Sequence, residues 1–365
     1  MAEDKIPGIN FDLETWMKDL PSPLKEIPLI YLAIPGSHDS MTYSITSSSG
    51  LAPDAEPILH RLYPLFRGTI LRWTITQSVD TYQQLQLGIR YLDLRLATKT
   101  GTEDFYFTHG LYADEITKSL QQVKDFVENH PGEVVILDFQ HFYGFKAADH
   151  YRLVQFLLDL YNSKLCPPSG YLQGITLNHL NQRRQQVIIV YRHEAAHSTN
   201  LFWRSTMMPS PWPRQDKISG SIHQVLRCLG RGGGFQPNLT HSYEGDSQIR
   251  RHGSMRRRRP RAVNNQTHGL RDLEVTLLPA RLWLSNLRNQ CARPVLKDIL
   301  PKLNDFTPGA PDAPNRKPSE GRAPVNVIIA DFIEMDNALF TKTIIQLNFK
   351  LLKNTMLIYH NDHGQ

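Results

Sequence analysis

Cysteine is scarce in this 365-residue chain: Cys166, Cys228 and Cys291 are three in number and far apart. That spacing points to neither a disulfide framework nor a zinc motif. Long apolar runs are missing too, and no stretch approaches the roughly 18 apolar residues of a spanning helix. Met1-Ala2-Glu3-Asp4-Lys5 has no basic n-region and no apolar run behind it, so a secretory signal is not expected. Ala2 is not the glycine that myristoylation needs, and His363-Gly364-Gln365 offers no cysteine to prenylate. No Gly-x-Ser-x-Gly elbow and no P-loop occurs, which removes two common hydrolase signatures. The expected setting is a reducing, cytoplasmic one, where the sequons at Asn238 and Asn265 carry little meaning.

What is present suits a folded, globular chain. Hydrophobic residues make up 40% of the chain and charged residues 21%, enough apolar material for a sizeable core. The net charge of +6 is unevenly placed. Residues 227–272 hold ten arginines against three acids, and the remainder of the chain balances 31 basic residues against 32 acidic ones. A local run of this kind reads as a loop or docking patch, so nucleic acid is not the expected partner. Residues 227–272, with Gly230, Gly232–Gly234 and Arg256–Arg259, read as a basic low-complexity insertion; residues 307–324 read as a Pro-rich loop.

Elsewhere short β-like runs alternate with helical periodicity. Strands are predicted at Leu29–Ile34, Ile89–Leu96, Phe105–Phe107, Val134–Phe139, Val187–Tyr191 and Val325–Ala330. Helices are predicted around Ile116–Val127, around Leu153–Leu160 and over Leu339–Leu352. Alternation of this kind implies parallel strands joined by crossover helices. The expectation is one α/β domain over 11–352, interrupted by the two loops.

The polar residues cluster where such a fold places its chemistry, at the carboxyl ends of the strands. Ser37-His38-Asp39-Ser40 follows the first strand. Asp93 and Arg95 lie on the second, and His109-Gly110 follows the third. Gln140-His141, Arg192-His193 and Asp331 follow later ones. Any single histidine is more often structural than catalytic, so the set carries the argument. Two histidines can take and give a proton near neutral pH. Arginine presents a planar fork to two phosphoryl oxygens, and a carboxylate behind a histidine fixes its tautomer. This favours phosphoryl over acyl transfer.

Ile34-Pro35-Gly36-Ser37-His38-Asp39-Ser40, Tyr91-Leu92-Asp93-Leu94-Arg95, Phe107-Thr108-His109-Gly110 and Val135-Ile136-Leu137-Asp138-Phe139 resemble the X domain of phosphatidylinositol-specific phospholipase C, most closely the eukaryotic proteins with an X domain alone. Asn326–Phe332 resembles the end of the same barrel. The resemblance implies an irregular (βα)8 TIM-type barrel and a phosphoric diester hydrolase acting on phosphatidylinositol or a related phospholipid at a membrane surface. It implies His38 as base, His109 as acid and Arg95 as charge stabiliser. Asp39 and Asp93 would complete the charge network, and Asp331 would orient His38. The family divides over calcium. Arg95 and Gln140 stand where the calcium type wants carboxylates, so no metal or other cofactor is expected. Arg192 and Gln140 are candidate substrate contacts, and Trp203, with Trp212 and Met207-Met208-Pro209, a candidate lipid-facing rim. Core packing of these residues and a solvated strand-end role for Arg192 are equally open. The segment Val275-Thr276-Leu277-Leu278-Pro279 departs from the family pattern. That keeps a catalytically weak lipid-binding or scaffold protein as the alternative.

Overall fold

The computed structural model describes residues 11–208, 286–303 and 326–352. The two loop segments, Trp212, Cys228 and the Val275 segment lie outside them. Seven strands form one sheet: β1 (Ile34–Ser37), β2 (Tyr91–Thr98), β3 (Phe105–His109), β4 (Leu111–Glu115), β5 (Val135–Tyr143), β6 (Val187–Tyr191) and β7 (Val327–Ala330). The neighbours β7-β1-β2-β5-β6 are all parallel. β3 and β4 form an antiparallel hairpin on the far part of β2. The helices used below are α1 (Pro57–Thr74), α2 (Thr81–Gln86), α3 (Ile116–Asn129), α4 (Ala147–Tyr161), α5 (Leu177–Gln182), α6 (Arg293–Leu303) and α7 (Met335–Leu347).

Local sequence explains the helix ends. Asp80 caps α2 through a capping box with Gln83, and the Glu115 carboxylate accepts from Thr117 N at the start of α3. Along α3, Ile116, Leu120, Val123, Phe126 and Val127 are buried at helical spacing.

The sheet separates two cores, and period-two alternation sorts the side chains between them. Leu92, Leu94, Leu137, Phe139, Ile189 and Ala330 face the helices, packing with residues such as Leu120, Leu157, Ile299 and Phe340. Ile34, Tyr91, Ile136, Ile188, Val190, Val327 and Ile329 face the other way, with Trp16, Leu24 and Trp203. At roughly 25 cal/mol per Å² of apolar surface removed from water, each of these large side chains contributes about 1.5–3 kcal/mol. Arg90, fully buried, donates to Glu133 Oε2 at 2.8 Å and to Glu14 O at 2.7 Å, tying the N-terminal segment beneath β2.

One predicted strand moves. Leu29–Tyr31 is a 3-10 turn after Pro28, and β1 begins only at Ile34. The Asn326 amide donates to Leu29 O and Leu32 O, which takes those carbonyls out of any ladder. β5 runs beyond its predicted end to Tyr143, so Gln140 and His141 lie within it.

Candidate active site

Extending the inner-face alternation toward the carboxyl ends gives five series: Ile34-Gly36-His38, Tyr91-Asp93-Arg95, Ile136-Asp138-Gln140, Ile188-Val190-Arg192 and Val327-Ile329-Asp331. Each is mainly apolar at its start and polar at its end. The fold therefore brings the polar ends together above an apolar floor. A bulge between β2 and β5 sharpens this: the register slips between Leu94 and Arg95, so Arg95 pairs with His141 rather than Gln140.

His38 is the centre of the cluster and is fully buried. Its Nδ1 lies 2.7 Å from Asp331 Oδ1, and its Nε2 lies 2.9 Å from Asp39 Oδ2 and 3.8 Å from Asp93 Oδ2. With Asp331 accepting, Nδ1 carries a proton and Nε2 is left to face the site. Burial works to lower the pKa of His38, but Asp39 and Asp331 outweigh it and hold it well above its ordinary 6.5. The His38 and Asp39 carbonyls are fixed from below by Thr76 Oγ1 at 3.0 and 3.1 Å, and Gln77 Nε2 donates to His38 O at 2.9 Å. Asp39 itself has φ +40°, a conformation costly for an L-residue, which turns its side chain beside that of its neighbour.

Arg95 reaches the same place from β2. Its Nε lies 2.6 Å from Asp39 Oδ1, and its Nη2 lies 3.6 Å from Asp93 Oδ2 and 3.2 Å from His38 Nε2. Asp39 and Asp93 respond differently. Burial works to raise the Asp39 carboxyl, but Arg95, His109 and His38 depress it well below the ordinary range. Asp93 is pushed up to about 6 by burial and by Asp39, against the pull of Arg95. Two adjacent carboxyls thus carry their negative charge unequally.

His109, at the end of β3, comes from the opposite side. Its ring centroid is 6.1 Å from that of His38 at 75°. Its Nδ1 is 2.7 Å from Thr74 O, so Nδ1 donates to that carbonyl, and Nε2 faces Asp39 Oδ2 at 3.3 Å. The Nε2 atoms of both histidines therefore converge on one carboxylate oxygen.

A second polar knot lies at the Asp138 level of the inner face. Arg192 donates from Nε to Asp138 Oδ1 at 2.8 Å, from Nη2 to Asp138 Oδ2 at 2.5 Å, and from Nη2 to Met208 O at 2.8 Å. Tyr91 Oη donates to Asp138 Oδ2 at 2.5 Å, and Gln140 Nε2 is 3.3 Å from both. Arg192 is thus an ion-paired, mostly buried side chain, which corrects its reading as a solvated strand-end arginine. Trp203 is 2% exposed in the inner apolar core, its indole donating to Cys166 O at 2.9 Å. It packs beside β6, bridged to Val190, and so cannot touch lipid at a rim. Met208 is buried with it, and Pro209 lies outside the described residues. In the sequence Asp138, the hub of this knot, belongs to a strand motif, and its place in the series after Ile136 is the signal that puts it on the inner face.

His38, Asp39 and Asp93 are close enough to share a cation, their ligand atoms lying within 4.8 Å of one another. Calcium wants six to eight oxygens. Here two carboxylates face each other with the Arg95 guanidinium already against both. The donor set does not fit calcium.

Comparisons with known proteins bear on the whole chain. No family model matches it. It is 29% identical over 344 residues to human PI-PLC X domain-containing protein 3, covering 92% of this chain and 94% of that protein. It is 36% identical over 256 residues to human PI-PLC X domain-containing protein 2, and 30% identical over 348 residues to PI-PLC X domain-containing protein 1 of Danio rerio, of which it covers 96%. The chain belongs to the PI-PLC X domain-containing protein family. Among solved structures, the phosphatidylinositol-specific phospholipase C of Listeria monocytogenes superposes with a TM-score of 0.55 at 16% identity, covering 92% of this chain and 99% of that one. A Staphylococcus aureus phosphatidylinositol-specific phospholipase C gives 0.55 at 13% identity over 92% of this chain. These likenesses establish the fold: this member of the X-domain family has the TIM-like barrel of the bacterial enzymes.

Proposed function

We propose that this protein is a phosphoric diester hydrolase that cleaves a glycerophospholipid at its headgroup, with phosphatidylinositol or a close relative as substrate. The observation that carries the reading is the convergence of His38 Nε2 and His109 Nε2 on one anionic oxygen, beside the Arg95 guanidinium. In this mechanism His38 Nε2 takes the proton of the headgroup hydroxyl next to the phosphate. That oxygen forms its bond to phosphorus as the bond from phosphorus to the glycerol oxygen breaks. His109 Nε2 delivers a proton to the departing diacylglycerol oxygen, and the phosphate remains on the headgroup as a cyclic diester. Holding nucleophile and phosphorus on one molecule removes the entropic cost of bringing them together. Arg95 stabilises charge on the phosphoryl oxygens and Asp331 positions His38. His38 must lose its stored proton before it serves as base. Arg192 and Gln140 are the inner-face groups that would meet the headgroup, with Asp138 holding Arg192 in place.

A lipid surface is the partner this requires. α1 lies in the β1–β2 connection and ends on the carbonyl that binds His109. It carries Arg61, Arg67 and Arg72 with no acid, and exposes Leu65 at 74%. This composition supports peripheral attachment to an anionic membrane face. Among the described residues no helix is long and apolar enough to cross a membrane, and Cys166 and Cys291 are free thiols, as a cytoplasmic setting would keep them.

The test is release of water-soluble inositol phosphate from phosphatidylinositol mixed micelles, with and without EDTA. Turnover that survives EDTA and collapses in both His38→Ala and His109→Ala is expected. Vesicle binding without turnover would move the assignment to a lipid-binding protein on the same barrel.

A further inference from the structure

Asp54 touches none of the groups given a part in the mechanism, yet it grips the chain on both sides of His109. Its Oδ1 accepts from Thr108 Oγ1 at 2.5 Å, and its Oδ2 accepts from the Gly110 backbone N–H at 2.7 Å. His109 and Leu111 face each other across the β3–β4 hairpin, so Gly110, at φ +69°, is the lone residue of the tip. A one-residue tip requires the left-handed conformation that glycine tolerates. The β3–β4 pairing is regular beside the tip, at Thr108–Tyr112 and His109–Leu111, and slips only further in, between Tyr106 and Thr108. Residues 50–54 add a third edge to this ladder. Ala52 N donates to Gly110 O at 3.0 Å, Tyr112 N donates to Gly50 O at 2.9 Å, and Leu51 forms an antiparallel bridge with Leu111. Asp54 closes this third edge with two charge-assisted bonds, the strong kind.

We propose that Asp54 is a positioning residue for His109: its carboxylate pins Thr108 and Gly110 so that the imidazole between them keeps its Nδ1 on Thr74 O and its Nε2 aimed at the departing oxygen. The proposal rests on the reading of His109 as the general acid. Residues 54 and 74 stand at either end of α1, so one connection fixes both the backbone and the ring of that histidine. Misplacement of a reacting group by about 1 Å costs on the order of 100-fold in rate.

The experiment compares wild type, Asp54→Ala, Asp54→Asn, His109→Ala and Asp54→Ala/His109→Ala in the full chain. One substrate is phosphatidylinositol in mixed micelles, whose alkoxide leaving group needs a proton. The other is the p-nitrophenyl ester of inositol phosphate, whose phenolate departs without one. Asp54→Ala should lower kcat on the lipid about 100-fold with KM changed less than about 3-fold, and lose less than about 5-fold on the nitrophenyl ester. Asp54→Asn keeps one acceptor and should fall between. In the His109→Ala background the second substitution should add nothing. Equal losses on both substrates, or additive losses in the double variant, would overturn the proposal. A wild type that turns over neither substrate would overturn the assigned function itself. The positioning claim then stands or falls on the ¹⁵N imidazole signals of His109, which should shift or broaden in Asp54→Ala. Unchanged signals would refute it.

Discussion

His38 shows how much the surroundings decide a single residue's behaviour. Two carboxylates flank its ring, and together they overcome a burial that would otherwise discharge it. A base held protonated must lose that proton before it works, so the rising limb of kcat/KM should lie above an ordinary histidine's range. Asp331→Asn removes one flanking charge. The rising limb should then move to lower pH, while kcat falls on the order of 10²–10⁴ through loss of orientation. A pH–rate profile of the two proteins checks both. Asp93 makes the opposite kind of prediction, on stability. Its folded pKa of about 6 exceeds the ordinary 3.8, so the native state holds the proton more tightly than the unfolded chain. Its contribution is favourable at low pH and is lost as pH rises from about 4 through 6. Asp93→Asn escapes that loss. Relative to wild type, it should gain on the order of 1–3 kcal/mol more at pH 8 than at pH 4, read by urea denaturation at each pH. His38, Arg95, His109 and Asp331 were nameable from the sequence because each sits where a strand ends or on its inner face. Asp54 and Asp138 were not nameable as partners. Their roles depend on a loop crossing a hairpin tip and on two strands in register, and neither pairing is written in local spacing.

Among the elements, β1 depends on the residue with no side chain. A Cβ at Gly36 would lie 2.7 Å from Ile329 Cγ2 and 2.9 Å from Tyr91 Cδ1. The glycine lets Tyr91 lean across the inner face and reach Asp138. Gly36→Ala should cost about 1–3 kcal/mol in chemical denaturation and disturb the Asp138–Arg192 pair along with it. α1 makes a separate prediction. Leu65→Glu should weaken sedimentation with anionic vesicles several-fold while leaving the melting temperature within about 2 °C, since the side chain is exposed. The strands with clear apolar runs, β2, β5, β6 and β7, were legible within a few residues. β4 was hidden because Leu111–Glu115 is short and only Leu111 and Ala113 in it are buried. α1 was hidden because Pro57, Pro64 and Gly68 read as breakers, and its backbone is indeed non-helical at Phe66. The Leu29 run misled because buried apolar turns and buried strands share a composition.

At the scale of the whole molecule, the barrel was legible because strand–helix alternation and polar strand ends agree with each other, two levels of description giving one answer. The metal question also belongs here, since it turns on the charge of the entire cluster. With a guanidinium lodged against both carboxylates, a calcium ion would have to displace it. Millimolar calcium should leave the melting temperature unchanged, because only a ligand that binds the native state raises it. A rise of several degrees would show the arginine to be displaceable. The apolar floor beneath the site has a consequence for traffic. Trp16, Trp203, Tyr91, Ile136 and Ile329 are buried together on the inner face, beneath the polar groups of the site. The polar groups that would hold substrate and product are one and the same set. Substrate headgroup and released headgroup would compete for them, so a spent headgroup that lingers blocks the next arrival. Inhibition by product should therefore be competitive with substrate.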